Sequence, residues 1–107
     1  MILVDEPRWP GRGRLWSHLV SDLSYDELHV FAEILGAPRR AFDRDHYDIT
    51  AERFRMALLL GARLVPGREL VSRLRAAGLR RPKHLHRPPP QNRPPHQRRA
   101  PAELTGE

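Results

Sequence analysis

The chain has 107 residues, 39% of them hydrophobic, with 11 prolines and a formal charge of +6. That length holds one small domain, and the absence of cysteine excludes a disulfide framework, a thiolate nucleophile and a zinc finger. No apolar run approaches the roughly 18 residues of a membrane span, and the opening MILVDEPRW lacks a basic n-region, so a cytoplasmic protein with no membrane partner is expected.

Ile2, Leu3 and Val4 read as a short buried strand that ends at Asp5. The stretch EPRWPGRGR that follows holds two prolines and two glycines and reads as a loop. Leu15 to Ser21, LWSHLVS, reads as a second strand. Ser24-Tyr25-Asp26-Glu27 is a capping box. The Ser24 hydroxyl accepts from the Glu27 N–H, and the Glu27 side chain reaches back to the cap. Leu28, Phe31, Ala32 and Leu35 then fall at i, i+3, i+4 and i+7 and make one apolar helix face. Gly36 stops this helix and Pro38 prevents its restart.

PRRAFDRD at 38–45 reads as a polar connection pinned by Phe42. HYDI at 46–49 reads as a short strand, and Thr50 caps a second helix that Phe54, Ala57 and Leu58 turn inward and Gly61 ends. Arg63 to Val65 reads as another short strand. Pro66-Gly67 leads into a third helix, Arg68 to Ala77, with Leu70, Val71, Leu74 and Ala77 on its buried face. The order is β-β-α-β-α-β-α. Helices separated by single strands predict an α/β fold: a small, mainly parallel sheet of about four short strands with three crossover helices. An uncovered edge strand leaves a monomer or a homodimer open.

The composition breaks after Leu79. Residues 1–79 hold 12 Arg against 11 Asp or Glu, whereas residues 80–107 hold six Arg and one Lys against Glu103 and Glu107. The division expected is a compact α/β domain over 1–79 and a disordered, basic, Pro/Arg-rich tail over 80–107. Leu85 and Leu104 are the tail's large apolar residues, too few to offset the entropy of ordering it. Such a tail serves either as a non-specific electrostatic arm for nucleic acid or as a terminal extension kept soluble by its charge.

Several segments carry a family likeness: ILVD at the start, WSHLVSD at 16–22, DELH at 26–29, PRRAF at 38–42, DHYDI at 45–49, LGA at 60–62 and RELV at 68–71. Over residues 1–79 the chain resembles the family catalogued as domain of unknown function 4031, small proteins of bacteria and their phages. The family pattern includes Asp5, Trp16, His18, Asp22, Glu27, Leu28, His29, Arg40, His46, Tyr47 and Asp48, and each is matched here. The resemblance implies a domain boundary near residue 79 and no particular activity.

The candidate chemistry follows from strand period. His46 and Asp48 share one face of their strand and Tyr47 takes the other. Trp16, His18, Val20 and Asp22 share a face of theirs, and Asp5 lies just past the end of the first. Ligands of parallel α/β sheets bind outside the carboxyl ends of the strands. A crevice there is expected to draw on Asp5, Trp16, His18, Arg40, His46, Tyr47, Asp48 and Arg68. Arg40 and Arg68 suit an anion, and Arg68 opens a helix whose free N–H groups attract phosphate. If His18 and His46 face one crevice, two imidazoles and the Asp48 carboxylate can hold a divalent metal, with Zn, Mn or Fe compatible. Such a metal activates water against a phosphoester. A hydrogen-bonded structural role suits the same histidines, and His29 is expected to pack near Glu33 instead. Trp9 and Trp16 flank the Gly-Arg segment as a stacking platform or as closure of a sheet edge.

No Gly-rich phosphate loop, nucleophile elbow or Walker lysine occurs. Three readings stay open. One is a small module binding an anionic, nucleotide-like ligand. The second is a metal-dependent phosphoesterase or nuclease using His18, His46 and Asp48. The third is an accessory protein that touches nucleic acid through its tail.

Overall fold

The computed structural model describes residues 1–82. The tail expected from residue 80 onward lies, from 83, outside the described residues. The elements are β1 (Ile2–Val4), β2 (Trp9–Gly11), β3 (Arg14–Ser21), α1 (Tyr25–Leu35), a 3-10 turn (Arg39–Ala41), β4 (Phe42–Asp43), β5 (His46–Thr50), α2 (Ala51–Leu59), β6 (Arg63–Leu64) and α3 (Gly67–Ala76).

The six strands form one sheet in the order β4-β5-β3-β1-β6, with β2 paired to β3 outside this path. The pairs β1–β3, β2–β3, β3–β5 and β4–β5 are antiparallel, and β1–β6 is parallel. The expected mainly parallel sheet of about four strands is therefore corrected to a mixed, mostly antiparallel sheet of six. The cause lies in two tight turns inside segments read as irregular. Arg12 (φ 49) and Gly13 (φ 74) are both left-handed and close the Gly11–Arg14 pair, the geometry that suits a two-residue hairpin. Arg44 (φ 62) does the same work between Asp43 and His46. Pro10, which argued against a strand, is tolerated because β2 pairs with β3 alone. The helices α1 and α2 are thus separated by a hairpin, not by a single crossover strand.

Alternation on β3 and β5 sorts the residues into two faces. Leu19, Tyr47 and Ile49 join Ile2 and Val4 under Leu28, Ala32 and Leu35 of α1 and Ala57 of α2. On the opposite face, Leu3 and Val20 pack against Val65, Leu70 and Leu74, with Leu79 at the margin. Two helices cover the first face. The single helix α3 covers the β1 side of the second face, beyond which that face carries Trp16, His18, His46 and Asp48.

The cap of α1 departs from the simple box. Ser24 Oγ accepts from the Glu27 N–H at 3.0 Å, as expected. The Ser24 N–H, however, donates to Ser21 Oγ at 3.1 Å, and so does the Leu23 N–H at 2.9 Å. Ser21 passes its own proton to Glu27 Oε1, which also accepts from the Met1 amino group. One buried hydroxyl relays between cap and carboxylate. Ser17 is equally buried, but among the described residues its hydroxyl has no partner. Ser21→Ala strands two backbone donors and should cost about 1–3 kcal/mol in urea unfolding, whereas Ser17→Ala should be neutral or stabilise by up to about 1 kcal/mol. Equal losses at both positions would contradict the relay.

Candidate metal centre

The β3–β5 register sets His18 opposite Asp48. His46 shares the Asp48 face of β5, and its ring lies 4.9 Å from that of His18, crossed at 76°. Each ring is held from behind by a buried carboxylate. Asp5, at the end of β1, takes the His18 backbone N–H on Oδ1 at 2.6 Å and faces His18 Nδ1 with Oδ2 at 2.8 Å. Asp45, fully buried in the β4–β5 turn, lies 2.8 Å from His46 Nδ1 through Oδ1. Its other oxygen accepts from Arg80 Nη1 at 3.0 Å and from the Arg81 N–H at 2.8 Å.

A carboxylate only accepts, so it fixes a proton on Nδ1 of each ring. Nε2 is then the nitrogen each ring has left to offer. His18, His46 and Asp48 each present a ligand atom within 4.8 Å of the others. His46 Nε2 is 3.1 Å from Asp48 Oδ1. Ligands around a tetrahedral metal at 2.0–2.2 Å stand about 3.4 Å apart. The widest separation, up to 4.8 Å, must therefore shrink by about 1.4 Å when a cation binds.

Without a metal, the two carboxylates hold His46 protonated on both nitrogens, so a cation at Nε2 has to displace the proton shared with Asp48. Burial opposes charge on His46, but hydrogen bonds to Asp45 and Asp48 outweigh it and raise the pKa from 6.5 to about 9. Burial pushes Asp48 up, yet the hydrogen bond from His46 and the nearby positive charges hold it below the usual carboxylate range. Asp45 is likewise lowered, burial being outweighed by His46, the Arg81 N–H and Arg80.

His18 and His46 line a cleft of about 420 Å³ together with Asp5, Trp9, Arg44 and Arg68. Trp9 stands edge-on to His18 at 5.1 Å. Trp16 and Arg40 line a second cleft, of about 650 Å³, which Asp48 also borders. Tyr47 is on the other face of the sheet, where its hydroxyl lies 2.7 Å from Nδ1 of His29. His29, expected near Glu33, lines a shallow cleft with Glu33 and Tyr47. Asp22 is also elsewhere, bonded to the Met1 amino group at 2.9 Å and to Arg73 at 3.0 Å. Asp5 lies behind its histidine, not beside an open ligand. The cluster sits on a face of an antiparallel sheet, so the strand-end rule that suggested a crevice does not describe it.

Sequence reasoning missed Asp45, Arg44 and Arg80. The Asp-His pair at 45–46 was the available signal. Neighbours in a strand point apart, but Asp45 occupies a turn and can curl back onto the ring beside it.

The raised His46 pKa has a definite sign. Its contribution to metal-free stability is complete below pH 6.5 and is lost as pH rises through about 9. An NMR titration should place the ring's midpoint near 9, and Asp45→Asn should lower it. A midpoint near 6.5 in the unaltered protein would contradict the double carboxylate contact.

The family model described as Protein of unknown function (DUF4031) matches residues 2–77. No curated protein and no solved structure matches the chain. The matched span runs from β1 through α3 and takes in Asp5, His18, Asp45, His46 and Asp48. The chain therefore belongs to the DUF4031 family.

Proposed function

We propose that this protein is a metal-dependent phosphoesterase of the cytoplasm that holds one divalent cation between His18 Nε2, His46 Nε2 and the Asp48 carboxylate. The observation that carries the reading is the pair of buried carboxylates behind the two rings. Asp5 and Asp45 each lie 2.8 Å from an Nδ1, which leaves Nε2 of each ring as the ligand atom, and the two histidines and Asp48 offer ligand atoms within 4.8 Å of one another. Carboxylate–histidine pairs of this kind orient metal ligands and raise their basicity. Two imidazoles and one carboxylate suit Zn, Mn or Fe and leave positions open for water and substrate. A cation bound there lowers the pKa of a coordinated water and polarises a phosphoryl oxygen. The chain's own residues set the rest. Asp5 and Asp45 keep the rings from turning. Trp9 stands edge-on to His18 in the cleft wall, and Arg68 lines the same cleft, where an anionic group can meet it. The anionic-ligand reading is absorbed as the substrate of this centre.

Calorimetry with Zn²⁺ and Mn²⁺ on the full chain should show one site per molecule. His18→Ala and His46→Ala should abolish it. Asp5→Asn and Asp45→Asn, which leave the ligands in place, should weaken it by about 10–100-fold. Hydrolysis of bis(p-nitrophenyl) phosphate should require the metal and vanish in Asp48→Asn. Binding that survives His18→Ala in a folded protein would place the cation elsewhere and refute the centre.

A further inference from the structure

The second cleft holds an unusual concentration of positive charge. Arg12 and Arg14 reach it from the β2–β3 hairpin, Arg40 from the 3-10 turn and Arg53 from the first turn of α2. Among the described residues none of these four guanidinium groups has a carboxylate within 4 Å. Two acids line the cleft, and both are already engaged: Asp43 with Arg44 and Asp48 with His46. Four like charges around about 650 Å³ repel one another and are best relieved by a multivalent anion.

Two features prepare the cleft for one. Arg12 stacks over the Trp16 ring at 5.4 Å, and Trp16 is held by its Nε1–H donating to the Gly11 carbonyl at 2.9 Å. A stacked guanidinium loses less freedom when it binds, and its fork of donors matches phosphate oxygens. The Arg53 guanidinium lies alongside Gly36, where the missing side chain leaves it room. Asp48 belongs both to this cleft and to the His18–His46 cluster. An anion lying in the cleft therefore reaches the cluster without leaving the protein surface.

We infer that the arginine cleft binds an anion that carries two or more phosphate groups, with the phosphate nearest Asp48 presented to the proposed metal centre. The binding surface stands on the cleft's own residues. Its role as the substrate seat rests on the proposed phosphoesterase. Several phosphates occur linked directly in a nucleoside triphosphate and one per nucleotide along an oligonucleotide strand, and clustered guanidinium groups serve both. One or two guanidiniums per phosphate accounts for the number of groups required.

The test uses the full chain in EDTA, so that its outcome is independent of any metal. Fluorescence anisotropy with labelled dT10, and competition by ATP and AMP, report on the cleft. Arg40→Gln/Arg53→Gln should weaken binding at least tenfold, with circular dichroism unchanged. Arg40→Lys/Arg53→Lys, which keeps the charge but loses the fork, should fall between. A variant with Arg87, Arg93, Arg98 and Arg99 changed to Gln should keep the binding, and for dT10 its log–log salt slope should be about −2.8 if four phosphates are neutralised. Competition by ATP alone identifies the triphosphate as the source, and binding of dT10 without competition identifies the strand. Equal competition by AMP and ATP would overturn the requirement for more than one phosphate. Unchanged binding in the Gln pair, or loss confined to the tail variant, would overturn the cleft. Polyphosphate binding without metal binding removes only the phosphoesterase, and metal binding without polyphosphate binding removes only the cleft.

Discussion

A carboxylate shut away from water holds the polar half of the sheet in place. Asp45 is fully buried, and both of its oxygens are engaged. On one side it fixes the His46 ring. On the other it takes the Arg80 side chain and the Arg81 backbone, 35 and 36 residues further along the chain. A buried charge left without such partners would be driven to neutralise, so these contacts must form together. They join the β4–β5 turn to the segment after α3. The left-handed Arg44 that makes the turn adds a backbone cost that only a well-determined site sustains. Truncating any one partner should be felt by the others, because removing one member of a buried network leaves the rest unsatisfied.

The second constraint is unequal cover. One face of the sheet lies beneath α1 and α2 and is filled by Leu19, Tyr47 and Ile49. The other lies beneath α3 alone. A helix of ten residues is about 15 Å long. It seals Leu3 and Val20 but does not take the far half of the face into its apolar cluster. The residues on that half are an imidazole pair, a carboxylate and two tryptophans. Strand alternation puts these groups on one side, and the limited reach of α3 leaves His18, Asp48 and the tryptophans partly open while His46 is buried beneath them. Their adjacency to the arginine cleft follows from the same geometry, because Asp48 and Thr50 share a face of β5 and Thr50 begins α2.

Much of this was written in the residues, and the parts that were not have physical reasons. The helices announce themselves through Ser24, Thr50 and the apolar spacing that follows each. The period of two on LWSHLVS and HYDI correctly separates His18 and His46 from Tyr47. Strand direction was misread because two hairpins were hidden. The first contains Pro10 and two glycines, which signal loop in any window, yet an edge strand accepts proline and the I′-like turn wants glycine. The second turns on Arg44, a side chain that rarely adopts a positive φ, so no turn signal marked it. Asp45 was overlooked because its partners come from Arg80 and Arg81, which composition alone assigned to the tail. Long-range pairing of a buried acid with a basic segment leaves no periodic trace in the sequence.

The central claim is that two carboxylates aim two imidazoles at one cation. The most direct measurement is an anomalous difference map from crystals grown with Co²⁺ or Zn²⁺. The account predicts one strong peak about 2.0–2.2 Å from Nε2 of His18, Nε2 of His46 and an oxygen of Asp48, with Asp5 and Asp45 still bonded to the two Nδ1 atoms. A peak on Nδ1, a peak away from these three residues, or an empty cluster at saturating metal would contradict it.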